Sequence, residues 1–338
     1  MRHKLLGHSG LRASELCLGT LTFGEKKDWG TDAETAEAIL GCFADAGGTF
    51  IDTAPNYGGG AAEEIIGAFL AGQRDDFVVA TKFTASTRRH ALAGGNSRKA
   101  MMASVEASLR RLGVDSIDLL WLHYWDGTTP LDEILRGLDD LVRSGKILYI
   151  AISDTPAWIV GRAALLAELR GWSRVIATQV EYNVATRSAE RELLPMAEAL
   201  DLGIVCWGPL AAGALAGGED PRRRTLASLP PQLASAVAAL RGISDETGLS
   251  CGTLALRWLM QRPLQAAVIP VVGARTPAQL ETILASAATS LDDPTLAALD
   301  AVAPPDLGFP HELIGSPYLR KLPLGDPGAL SPPIRARG

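Results

Sequence analysis

Phe77-Val78-Val79-Ala80-Thr81-Lys82 is an apolar run that ends on an ammonium. It is short for a helix and lacks the alternation of a strand with one wet face. It therefore predicts a strand buried on both sides. Upstream, Thr49-Phe50-Ile51 leads in the same way into Asp52; downstream, Ile117-Asp118-Leu119-Leu120-Trp121-Leu122 leads into His123. Similar runs lie at 15–20, 147–153, 175–182, 203–209 and 266–273. Helical patterns separate them. One starts at Thr31-Asp32-Ala33-Glu34 and stops at Gly47-Gly48; others span 97–112, 130–144, 156–170, 188–200 and 277–287. Before the first strand, residues 4–18 read as a hairpin around His8-Ser9-Gly10.

Eight strand–helix units in 338 residues predict an α/β fold, a (β/α)8 TIM barrel with an N-terminal β-hairpin. Extra helices are predicted after strand 7, at 231–247 and 250–261. A doubly wound sheet is the alternative. Gly58-Gly59-Gly60 lacks the spacing of its dinucleotide-binding turn. The whole chain, 1–338, reads as a single domain, and 304–338, rich in Pro and Gly, as an irregular tail.

Composition sets the class. With 47% hydrophobic and 21% charged residues the chain is ordinary for a soluble enzyme, and a net charge of -6 argues against nucleic acid or an anionic membrane as partner. Cys17, Cys42, Cys206 and Cys251 are scattered, without a CxxC pair, and read as reduced core residues. The N-terminus lacks an apolar core for a signal peptide, so the expected compartment is the cytoplasm. Of the five histidines only His123 sits at a strand end, so no metal is expected.

In a parallel barrel the C-terminal strand ends share one rim, where the chemistry is built. Asp52, Lys82 and His123 end three strands there, and Tyr57 follows Asp52 by five residues. The four types suit proton transfer at a carbonyl oxygen. A phenol near its ordinary pKa of about 10 is a reluctant donor. An adjacent ammonium is expected to lower that value, a carboxylate to keep the ammonium charged, and a neutral imidazole to orient the carbonyl.

The segments Phe50-Ile51-Asp52-Thr53-Ala54-Pro55-Asn56-Tyr57-Gly58, Ala80-Thr81-Lys82-Phe83 and Ile117-Asp118-Leu119-Leu120-Trp121-Leu122-His123 resemble the aldo-keto reductase superfamily. The likeness runs from the hairpin to Ala287. It implies a barrel that reduces carbonyl groups with NADPH. By it Tyr57 is the general acid, tuned by Lys82 and Asp52, and His123 positions the substrate. The expected cofactor is NADPH/NADP+, with NADH the lesser alternative.

The resemblance also implies a cofactor shell. Ser153 and Gln179 match residues that bind the nicotinamide carboxamide, and Trp207 matches an aromatic that stacks on its ring. Where the family has Asn beside that Ser, this chain has Asp154, which lacks the amide donor. Gly208-Pro209-Leu210-Ala211-Ala212-Gly213 resembles the loop over the pyrophosphate, but Gly218 and Glu219 stand where a Lys often follows. Gly273, Arg275 and Gln279 resemble the adenosine end, with Arg275 placed to pair with a 2′-phosphate. The acidic residue and Asn that usually hold adenine are Thr282 and Ile283 here. Phe23, Trp29, Phe83 and Trp125 are expected to line an apolar mouth for a small-molecule carbonyl substrate. The competing reading is a cofactor-binding regulatory subunit of the same fold. The sequence leaves oligomeric state open.

Overall fold

The computed structural model describes residues 1–24, 30–217 and 229–322. Strands β1 (His3–Leu5) and β2 (Arg12–Ser14) form an antiparallel hairpin. Then β3 (Cys17–Gly19), β4 (Phe50–Asp52), β5 (Val78–Phe83), β6 (Ile117–Leu122), β7 (Ile147–Ser153), β8 (Val175–Glu181), β9 (Gly203–Trp207) and β10 (Val268–Val272) close into a barrel, β10 pairing with β3. Every barrel pair is parallel. This is the (β/α)8 architecture read from the sequence, with each predicted strand in place.

The helices between the strands are α1 (Ala33–Asp45), α2 (Ala61–Leu70), α3 (Arg98–Leu112), α4 (Leu131–Arg143), α5 (Ala157–Arg170) and α6 (Leu193–Ala199). The extra pair α7 (Pro231–Thr247) and α8 (Cys251–Met260) follows β9, and α9 (Pro277–Ala287) follows β10. Local chemistry sets their ends. Asp32 caps α1 by accepting from the Thr35 N–H at 2.8 Å, and Ser97 caps α3. Gly113 closes α3 with a left-handed φ of 63°. The helix expected over 188–200 splits into a 3₁₀ turn, Ser188–Arg191, and α6. Beyond the barrel lie α10 (Asp293–Asp300), α11 (His311–Gly315) and α12 (Pro317–Lys321). The last two are short helices inside the segment expected to be irregular. Among the described residues no helix is long and apolar enough to cross a membrane.

Two buried clusters follow the period of two along each strand. Cys17, Phe50, Val78, Ala80, Leu119, Trp121, Ala151, Ala177, Val205 and Ile269 fill the barrel interior. Leu18, Ile51, Val79, Leu120, Ile152 and Ile204 face outward to the helices. Leu6 and Ala13 of the hairpin join the inner cluster and plug the N-terminal end. Lys4 Nζ pins the hairpin by donating to the Val268 carbonyl at 2.7 Å. One step further along the inward series stand Asp52, Lys82, His123, Ser153, Gln179 and Trp207. The fold thus lifts six of the expected site residues onto one rim.

Candidate active site

Asp52 and Lys82 are wholly buried and form an ion pair at 2.5 Å. Lys82 Nζ also donates to the Thr53 carbonyl at 2.8 Å, and Gln179 Nε2 donates to the other Asp52 oxygen at 3.2 Å. Gln179, expected only in the cofactor shell, therefore also supports Asp52. Tyr57 comes from a turn rather than a strand. Gly58, Gly59 and Gly60 follow it with φ of 56°, 69° and 111°. A side chain on Gly58 would put its Cβ 2.7 Å from the Phe23 carbonyl oxygen, so glycine is required there. The turn brings the phenol ring to 4.9 Å from Lys82 Nζ and edge-on to His123, with centroids 6.4 Å apart.

Glu63, in the first turn of α2, is also wholly buried. It accepts from Arg111 Nε at 2.7 Å and from Thr81 Oγ1 at 2.6 Å. Thr81 precedes Lys82 in β5, and Glu63 lies just past the Tyr57 turn, so this carboxylate ties together the segments that carry Lys82 and Tyr57. Sequence reasoning missed both α2 and Glu63. The available signal was Ala62, Ile66 and Leu70 at helical spacing behind an acidic first turn.

The electrostatics give each group a protonation state. Burial opposes the charge on Lys82, but Asp52 and then Tyr57 outweigh it, and its pKa is raised above the ordinary lysine value. For Tyr57 burial pushes the pKa up, Lys82 pulls it down and Asp52 pushes it up again; the balance is a raised value. This corrects the expectation of a lowered phenol pKa. Lys82 acts in the expected direction, but Asp52 already neutralises it and the ring is desolvated. His123 is held down at about 3 by burial and by the Lys82 charge, so it is neutral at physiological pH. Its Nδ1 is buried without a hydrogen-bond partner among the described residues.

The expected cofactor residues lie along the tops of β7 to β10. Ser153 and Gln179 are buried, register partners across β7 and β8, and Ser153 Oγ has no hydrogen-bond partner among the described residues. An orphaned hydroxyl aimed into the rim fits a ligand amide. Asp154 takes a left-handed φ of 38° and accepts from Trp207 Nε1 at 2.9 Å. After β9 the backbone is left-handed at Gly208, Ala211, Ala212 and Gly213, with φ of 65°, 46°, 53° and 89°. Such turns aim successive N–H groups one way and suit an anion such as a pyrophosphate. Pro209 and Leu210 lie in the same loop. Asn183, missed from sequence, anchors it by donating from Nδ2 to the Gly208 carbonyl at 2.9 Å. At the far end Gly273 follows β10, and the Arg275 N–H donates to Gln279 Oε1 at 3.0 Å ahead of α9. Thr282 bonds within its own helix and Ile283 packs against the core. Gly218 and Glu219 lie outside the described residues.

The sequence profile of the Aldo/keto reductase family matches residues 15–304. The chain belongs to the aldo/keto reductase family. Among its relatives are norsolorinic acid reductase stcV of Emericella nidulans, 36% identical over 91% of this chain and 83% of that protein, and norsolorinic acid reductase B of Aspergillus parasiticus, 35% identical over 94% and 88%. An aryl-alcohol dehydrogenase of Phanerodontia chrysosporium, whose name specifies NADP(+), is 35% identical over 93% and 89%.

The mouth of this aldo/keto reductase differs from expectation. Phe23 and Phe83 are wholly buried in the outer core rather than lining an opening. Phe83 follows Lys82 in β5 and so points to the opposite side. Phe23 is held by its bridge to Thr31. Trp29 lies outside the described residues. Trp125 is half-buried and packs edge-on against Trp158, centroids 5.7 Å apart, beside a cavity of about 260 Å³ lined also by Thr128, Leu131 and Arg162. Trp158 and Tyr124 are exposed aromatics on the same rim, and sequence reasoning had selected neither.

Proposed function

We propose that this aldo/keto reductase converts an aldehyde or ketone with an aryl body to the alcohol, using NADPH as hydride donor and Tyr57 as general acid. The observation that carries the reading is the buried Lys82–Asp52 pair beneath Tyr57, with neutral His123 beside the ring. When bound, the cofactor supplies hydride to the carbonyl carbon. Ser153, Asp154, Gln179 and Trp207 would hold its nicotinamide end, the 208–213 loop its phosphates, and Gly273, Arg275 and Gln279 its adenosine end.

The protein groups manage the oxygen. His123 hydrogen-bonds the carbonyl oxygen and orients it. As negative charge builds there, Tyr57 gives up its proton. The resulting phenolate is stabilised by Lys82, whose charge Asp52 maintains. General acid catalysis of this kind is worth about 10²- to 10⁴-fold in rate. Rim aromatics Tyr124, Trp125 and Trp158, with relatives named for aryl alcohols and norsolorinic acid, support the aryl body. Arg275 and the NADP(+) relative support NADPH.

The test is a panel of aliphatic and aryl carbonyls followed at 340 nm with each cofactor. Aryl aldehydes with NADPH should turn over fastest. Tyr57→Phe should lose about 10²- to 10⁴-fold in turnover while cofactor affinity is kept. Undiminished turnover in that variant refutes the assignment. Tight cofactor binding with no turnover on any carbonyl would favour the regulatory reading instead.

A further inference from the structure

Asp154 puts a carboxylate beside the proposed nicotinamide end, next to Ser153. By strand alternation the residue after Ser153 would turn away from the site. The left-handed φ of 38° turns it across the rim instead, where it accepts from Trp207 Nε1 at 2.9 Å. A non-glycine residue in that region carries backbone strain of about 1 kcal/mol or more. Asp and Asn tolerate it best. The charge is what separates this side chain from an amide, since either could accept from the indole.

The surroundings do not cancel that charge. Burial pushes the Asp154 carboxyl above its ordinary value, while the Trp207 hydrogen bond and the charge of Lys82, itself paired with Asp52, pull it back toward the ionised form. Glu181, register partner of Trp207 at the end of β8, adds a second negative charge close enough for Asp154 to act on its ionisation. The rim beside the indole is therefore acidic. The oxidised nicotinamide ring carries a full positive charge and the reduced ring none.

We infer that Asp154 is an electrostatic selector for the oxidation state of the cofactor: its carboxylate, anchored to the Trp207 indole, favours the cationic ring of NADP+ over the neutral ring of NADPH. The inference rests on the proposed placement of the nicotinamide at Ser153, Gln179 and Trp207. Its consequence is that the bound cofactor becomes a stronger hydride donor, because the oxidised state is stabilised on the protein. A partly solvated carboxylate next to a unit positive charge changes affinity by about ten-fold.

The test is the dissociation constant of NADP+ and of NADPH, each measured by calorimetry on the wild-type protein and on Asp154→Asn. Asparagine keeps the hydrogen bond to the indole and the left-handed backbone, so the fold is preserved. The NADP+ dissociation constant should rise about ten-fold and that of NADPH should change less than about two-fold. Equal weakening of both forms, or no change in either, overturns the inference while leaving the proposed activity intact. A wild-type protein that binds neither form overturns both.

Discussion

Lys82→Met removes an ammonium and keeps most of the side-chain volume. The ammonium lies 2.5 Å from Asp52, and the two side chains are 1% and 3% exposed. Without it, among the described residues Asp52 keeps only the Gln179 amide at 3.2 Å, and the Thr53 carbonyl loses its 2.8 Å donor. Breaking a buried pair from one side costs about 3–5 kcal/mol, because it leaves an uncompensated charge. At about 2 °C per kcal/mol for a chain of this size, Tm should fall by about 6–10 °C.

The double variant Asp52→Asn/Lys82→Met removes both charges of this pair and should recover most of that stability. Both variants should lack turnover. Thermal unfolding followed by circular dichroism, with the 340 nm assay alongside, separates the two effects. A single variant within about 1 kcal/mol of wild type would refute the electrostatic coupling. So would a double variant as unstable as the single, while retained turnover in Lys82→Met would remove the ammonium from the mechanism.

His123, held at about 3 against an ordinary 6.5, favours the native state in its neutral form. The unfolded chain takes up a proton below pH 6.5, so this contribution is full above that value and is lost as pH falls toward about 3. His123→Asn should flatten the decline of the urea midpoint between pH 7 and pH 5; an unchanged slope would contradict the assignment. Arg275→Ala should weaken NADPH more than NADH in calorimetric titrations, and equal weakening would remove Arg275 from the 2′-phosphate.

Strand ends were legible because most barrel strands are apolar runs that stop on a polar residue or a glycine. Alternation then carries Asp52, Lys82, His123, Ser153, Gln179 and Trp207 inward without further information. Phe83 follows the inward-facing Lys82, so alternation turns it outward into the core rather than toward a mouth. Helix α2 was hidden behind three glycines, with no side chain to cap it. Its buried Glu63 was unreadable for a different reason. A carboxylate in an acidic first turn looks like a solvated, dipole-favoured residue until Arg111 and Thr81 arrive from distant segments. The pairing of Asp154 with Trp207 likewise depends on a backbone angle that no residue type dictates.

The direction of the phenol shift bears on chemistry. Had Lys82 stood alone beside Tyr57, its charge would have drawn the phenol down toward neutrality and made it a ready base. Asp52 removes that option by neutralising the ammonium at contact distance, and burial withholds the water that would stabilise a phenolate. Tyr57 therefore rests fully protonated at neutral pH, as a donor should. In the proposed mechanism its conjugate base forms only while negative charge develops on a carbonyl oxygen beside it, and neutral His123 adds a hydrogen bond without adding charge. The same carboxylate that makes Lys82 permanent thus suits the site to protonating an oxygen that is gaining electrons, and a carboxylate at Asp154 would push the bound cofactor the same way by stabilising the ring after the hydride has left.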